Sequence, residues 1–268
     1  MGGEVVNADS MQLYRGMDVG TAKLPPDERG GVPHLLLDVW PVTVTATAAA
    51  YQALCREVVD DLLGRGVVPV LVGGSGLYLR AALDDLRFPG TDPEVRASLE
   101  AELERDGAPA LHARLAALDP AAAARMEATN GRRVVRALEV VRLSGAMPGE
   151  LTSYGSFYDT TYVGVDRPDL ADRIAVRVDR MWEQGLVDEV RRLEAEGLRD
   201  GVTASRALGY AQLLGVLDGR WDEQHARELT VVATRRFARR QRAWFRRDPR
   251  ISWLDPSPDA LAQALDLL

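Results

Sequence analysis

Apolar positions along this chain follow two periods, and the period changes mark the elements. "EVVNA" (4–8) and "HLLLDVW" (34–40) are short apolar runs of the kind that forms buried parallel strands. Between residues 47 and 65 the pattern becomes helical, Ala- and Leu-rich with charges at intervals of three and four, and Gly66 ends it. "VVPVLVGGSGLYLRAAL" (67–83) then predicts a strand, a Gly-rich turn and a helix, completing a βαβ unit with a parallel sheet. Residues 92–143 are helical almost throughout. "TTYVGVD" (160–166) predicts a return to the sheet. Helical patterns over 170–197, 205–217 and 222–247 precede a last strand, "ISWLD" (251–255). The expected architecture is an α/β core over 1–90 and 154–268, interrupted by an all-helical insertion over 91–153.

Composition narrows the class. The chain has 268 residues, 46% hydrophobic and 27% charged, enough for a substantial core. No apolar run is long enough to span a membrane, no signal peptide is visible, and one cysteine excludes an internal disulfide, so a cytoplasmic protein is expected. The net charge of −7 argues against nucleic acid only in total. Distribution reverses that: "RRFARRQRAWFRR" (235–247) holds seven arginines in thirteen positions with Phe237, Trp244 and Phe245 among them, and "GRRVVR" (131–136) adds a second basic segment. Arginine with flat apolar rings suits phosphates and stacked bases.

Three further segments carry chemistry. Asp9 and Ser10 stand where a parallel strand ends, the place where ligands bind in open α/β sheets. They either present a carboxylate to a ligand or cap a turn. "GGSGLY" (73–78) allows close backbone approach and offers the Ser75 hydroxyl, a weak signal taken alone. Arg173 and Arg177 share one helix face, either gripping a diphosphate or forming a solvated face beside Asp172 and Asp179.

Together, "NADSMQLYRGMDVGTAK", "VPHLLLDV", "PVLVGGSGLYLRAAL", "DPEVRASLE", "RRVVRALEV", "DRIAVRVDRM", "SRALGYAQL" and "ATRRFARRQRAWFRR" resemble the bacterial tRNA dimethylallyltransferases (tRNA isopentenyltransferases) in content and order, over essentially the whole chain. The resemblance implies a P-loop-NTPase-like parallel sheet flanked by helices. It also implies transfer of a dimethylallyl group from its diphosphate to N6 of an anticodon-loop adenosine next to the anticodon. Asp9 is expected as general base, with Ser10, Met11 and Gln12 lining the adenine pocket. Arg177, with Arg173, would grip the leaving diphosphate, and Thr21 and Lys23 would face the phosphates. Ser75, Arg96, Arg132, Arg133, Val134, Val135, Arg136, Arg206, Ala207, Leu208, Gly209 and Tyr210 would touch tRNA, with the helical insertion clamping the anticodon stem-loop.

The family's P-loop, with a Mg²⁺ held mainly by it, has no counterpart here: no G-x-x-x-x-G-K-[ST] occurs. The expectation is therefore a chain truncated at its N-terminus, lacking the first strand and the phosphate cradle, and barely active alone. Where the family commonly has "GGTGLY" this chain has "GGSGLY", which keeps the hydroxyl. Leu35 stands where some members carry a second basic residue, so no role is carried to it. The expected partners are the tRNA anticodon stem-loop and dimethylallyl diphosphate, with no membrane and a monomeric state. An enzyme using free AMP, ADP or ATP would not need the helical insertion or the Arg-rich last helix. A non-catalytic RNA-binding remnant is the other alternative.

Overall fold

A computed structural model describes residues 2–147, 154–254, 256–257 and 259–268. The expected boundary at 153/154 and Asp255 of the expected last strand touch or lie in the residues outside that set. The chain divides into two compact units, Met1–Asp85 with Ser156–Leu268, and Leu86–Gly155.

The first unit is built on β1 (Gly3–Asn7), β2 (His34–Leu35) and β3 (Val68–Val72), a parallel sheet of order β2-β1-β3. Its crossover helix α1 (Ala48–Gly64) starts at Thr47, whose side chain accepts the Ala50 N–H. Tyr51, Cys55, Val59 and Leu62 recur at helical spacing and pack with Val6, Ala8 and Leu13. α2 (Gly76–Leu83) follows β3 and contributes Ala82 and Leu83 to the same core.

Strand β2 is shorter than its apolar run predicts. Leu36 and Asp38 sit at φ 60° and 58°, a left-handed backbone that cannot continue a strand. Long-range polar contacts hold that shape: Asn7 donates to Leu36 O at 2.9 Å, and Arg15 donates to Asp38 O and Val39 O.

The run 160–166 does not rejoin this sheet. It forms β4 (Tyr162–Val165), which pairs in parallel with β5 (Ile251–Leu254) in a sheet of two strands. Among the described residues no strand pairs with the outer edge of β3, and its face carrying Val68, Val70 and Val72 is open. The two sheets are joined through charge. Asp84, at the end of α2, accepts from Arg80 at 2.5 Å and from Arg250, next to β5, at 2.7 Å; Arg250 also lies over the Tyr162 ring and pairs with Asp248.

The remaining helices of this unit are α7 (Leu170–Glu183), α8 (Leu186–Ala195), α9 (Tyr210–Leu217), α10 (Glu223–Phe245) and α11 (Ala260–Leu265). The expected helix over 170–197 is thus two, divided at Gly185. Leu186, Val190, Leu193, Leu213 and Leu214 enclose a second core with Tyr14, Met17 and Tyr210.

The second unit packs α3 (Pro93–Asp106), α4 (Ala108–Leu118), α5 (Pro120–Ala124) and α6 (Gly131–Ser144) around Leu99, Leu111, Leu115, Val134, Val135 and Leu138. Asp92, Asp119 and Asn130 cap α3, α5 and α6 with their side chains. Glu139 is fully buried in this apolar unit. It accepts from Arg96 at 2.5 Å, Arg136 at 2.8 Å and the Asp92 N–H at 3.0 Å. No helix among the described residues is long and apolar enough to cross a membrane.

Two outcomes follow. Burial raises the Glu139 pKa, but its Arg96, Arg136 and Asp92 partners outweigh burial and hold it below the usual range. A depressed folded pKa stabilises above the unfolded value, about 4.3, and the contribution is lost as pH falls through the folded pKa. Glu139→Ala should therefore cost about 2–3 kcal/mol at pH 7, the arginines being partly exposed, and less in acid. Chemical denaturation of parent and variant at pH 7 and pH 3 checks this. The open β3 edge and its exposed valines should drive concentration-dependent self-association, which Val70→Lys should reduce in light scattering.

Candidate active site

The exits of β1 and β3 lie against each other. A Cβ at Gly73 would stand 2.3 Å from the Ala8 carbonyl carbon, so only glycine lets the β3 exit run this close to Asp9. The "GGSG" turn then places Ser75 on Ser10: its hydroxyl accepts the Ser10 N–H at 3.0 Å and donates to Ser10 Oγ at 3.1 Å. Gln241 of α10 donates to Gly74 O at 2.9 Å and supports the turn from behind.

Asp9 is set by its own neighbours. Asn7 accepts the Asp9 N–H and donates to Asp9 O, while Asp9 Oδ1 accepts the Met11 N–H at 2.8 Å. Asp9 thus makes the turn of the capping reading, and its Oδ2 has no hydrogen bond among the described residues, which leaves that oxygen open to a ligand. Asn7 is buried at a strand end and was not singled out by the pattern; a strand-poor amide inside an apolar run is the signal that identifies it.

Arg177 on α7 lies within the electrostatic reach of this carboxylate. Desolvation by the surrounding protein pulls its guanidinium below the usual arginine range, and the Asp9 charge pushes the other way. It is exposed by surface area and has no hydrogen bond or ion pair among the described residues. An exposed arginine without an ion pair, in the field of a nearby carboxylate, can take an anionic ligand. Arg173, one turn earlier, is exposed and lies 3.8 Å from Asp169.

Gln12 is half-buried beside the pocket and donates to Thr21 O at 3.1 Å. The Thr21 hydroxyl donates to Met17 O at 2.6 Å. Lys23 differs from the expectation. Its side chain is 4% exposed, and its ammonium meets Asp18 and Asp38 at 2.6 Å and Tyr14 O at 2.9 Å. All three donors are used inside the protein, so no proton is left for a phosphate.

Of the other expected RNA contacts in this unit, Arg206 is exposed and unpaired among the described residues, and Leu208 is half-buried. Ala207, Gly209 and Tyr210 are buried, so they shape the region from beneath rather than meeting a ligand. In the helical unit Arg132 and Arg133 are exposed, whereas Val134 and Val135 belong to its core and Arg96 and Arg136 are held by Glu139. Helical spacing explains the split: of four consecutive positions, two must face inward. No group of three or more His, Cys, Asp or Glu side chains among the described residues could hold a metal ion. The described residues do not by themselves form the expected Mg²⁺ site.

Comparison with known proteins gives the family. A family model described as IPP transferase matches residues 12–248. The tRNA dimethylallyltransferase of Streptomyces coelicolor is 65% identical over 257 residues, which are 95% of this chain and 82% of that protein. The protein of the same name from Frankia alni is 63% identical over 269 residues, 100% of this chain and 93% of its own length. Among solved structures, a full-length tRNA isopentenylpyrophosphate transferase from Bacillus halodurans aligns with a TM-score of 0.70 at 38% identity, over 98% of this chain and 86% of its own. A eukaryotic dimethylallyltransferase acting on tRNA aligns with a TM-score of 0.78 at 25% identity, over 97% of this chain and 69% of its own.

The pairing of Lys23 gives a test independent of turnover. Lys23→Met should leave Asp18 and Asp38 facing each other without a cation and, both aspartates being about half exposed, destabilise the first unit by about 1 kcal/mol, read by chemical denaturation. A variant as stable as the parent would restore Lys23 as a spare cation.

Proposed function

From the chain's membership of the IPP transferase family, we propose that it is a tRNA dimethylallyltransferase, with Asp9 and Arg177 at the reacting centre. The observation that supports this most is a carboxylate oxygen of Asp9 left free at the exit of β1, with Arg177, exposed and without a hydrogen bond or ion pair among the described residues, within the field of that carboxylate. A transfer of this class needs both. The bond between C1 of the dimethylallyl group and its diphosphate oxygen breaks, a bond from N6 of the adenosine to C1 forms, and N6 releases a proton. Asp9 accepts that proton. Arg177, helped by Arg173, meets the negative charge that grows on the leaving diphosphate.

The acceptor base must leave its stack to reach Asp9. Ser10, Met11 and Gln12, which follow Asp9, and Ser75, fixed on Ser10 by a hydrogen bond, would line the adenine pocket. Arg206 and the face of α10 carrying Arg236, Arg239 and Arg240 offer unpaired cations for RNA phosphates in this unit; Arg132 and Arg133 do so in the helical unit. A free nucleotide would need none of these surfaces, which favours tRNA over AMP as acceptor.

Asp9→Asn keeps the size of the side chain and removes the base. In a form that carries a P-loop segment, the single-turnover transfer rate should fall by about 10²–10⁴, with stem-loop affinity changed only a few-fold. A rate within a few-fold of the parent would reduce Asp9 to its turn with Met11. Binding of an anticodon stem-loop should weaken steeply with salt, and Arg132→Ala should lower the log–log slope by about 0.9. Equal binding of AMP and stem-loop, without salt dependence, would move the assignment to the free-nucleotide enzyme.

A further inference from the structure

Glu189, on α8, is a buried carboxylate with no arginine or lysine partner among the described residues. Its charge is met there by neutral donors. Oε2 accepts the N–H groups of Asp18 at 3.0 Å and Val19 at 2.8 Å; Oε1 accepts the Gly20 N–H at 3.2 Å and the Tyr210 O–H at 2.5 Å. Three successive backbone amides converge on one side chain more than 160 residues away. Burying an uncompensated carboxylate is expensive, and apolar packing would cover the same surface without that cost. What a carboxylate adds is direction, since only an acceptor can hold three N–H groups at once.

Tyr210 completes the grip. Its fully buried ring lies beneath Gly20, where a Cβ would stand 2.5 Å from a ring carbon. Burial and the adjacent Glu189 charge push its hydroxyl pKa well up, so it remains a donor. One turn further along α8, Arg192 donates to Gly16 O at 2.9 Å. The far end of the loop is the buried Lys23, and between the two anchors Thr21 O receives the Gln12 amide. The contacts run without a gap from Glu189, through residues 18–21, to Gln12 beside Asp9.

We propose that Glu189, braced by Tyr210, is a positioning residue: it fixes the 18–20 backbone so that the loop holds Gln12 in the orientation that selects the acceptor base. This rests on the reading that the Asp9 pocket takes a nucleobase. It also gives "SRALGYAQL" a role the burial of Tyr210 requires, support of the pocket from below.

The test compares an anticodon stem-loop carrying the acceptor adenosine with the same RNA made abasic at that position. The parent should prefer the adenosine RNA about tenfold or more. Glu189→Gln replaces one acceptor oxygen by an amide that repels N–H groups. It should bring the preference to within about threefold, leave affinity for the abasic RNA unchanged, and speed hydrogen exchange of the Asp18–Gly20 amides. Val59→Ala, in the core on α1, should lower the melting temperature and keep the preference, separating positioning from general loss of stability. Should Glu189→Gln not fold, Tyr210→Phe, which keeps the ring and removes one donor, decides: a preference reduced about threefold supports the proposal, and an undiminished one overturns it. A parent that discriminates and a Glu189→Gln that discriminates equally well overturns this inference alone. A parent without any preference overturns the nucleobase pocket and this inference with it.

Discussion

The site depends on one absence, the missing side chain at Gly73. Parallel pairing of β1 with β3 brings two chain exits to the same end of the sheet, and the contact between Gly73 and Ala8 lets them touch. Any β-carbon would push the "GGSG" turn off the Asp9 turn and break the Ser75–Ser10 hydrogen bonds. With the contact in place, Asn7 holds Asp9 and Asp9 holds Met11, and Arg177 on α7 lies within the field of that carboxylate.

Around this contact, buried charges act as fasteners, each with a different kind of partner. Asp84 is held by two arginines and joins the two sheets. Glu139 gathers two arginines and an N–H inside the helical unit. Lys23 lies between two aspartates, and Glu189 is held by neutral donors among the described residues. Much of the arginine content is therefore internal. Arg80, Arg96, Arg136 and Arg250 serve the fold, while Arg132, Arg133, Arg177 and Arg206 remain exposed without partners among the described residues. The second group carries the proposed function, and composition does not distinguish the two.

The apolar periods located the strands and most helices because local patterning is what decides them. β1, α1, β3 and α2 lie within a residue or two of the predicted runs. The misses have long-range causes. β2 stops early because Asn7 and Arg15 take the carbonyls of residues 36, 38 and 39, and those partners lie more than twenty positions away. β4 pairs with β5 rather than with the first sheet, a choice of edge that no local window contains.

The sequence by itself determined the order of elements and the helical segment within it, and it marked Asp9, Ser75 and Arg177 as candidates for chemistry. It carried these because strand ends, glycine turns and i,i+4 pairs are set by neighbours a few residues apart. Only the tertiary structure decided which charges are free. Lys23 looked like a phosphate ligand until Asp18, Asp38 and Tyr14 took its three donors, and Tyr210 looked like an RNA contact until its ring was found under Gly20. Availability of a charge depends on what the fold places within about 3 Å of it, and that distance is fixed by packing between segments remote in the chain.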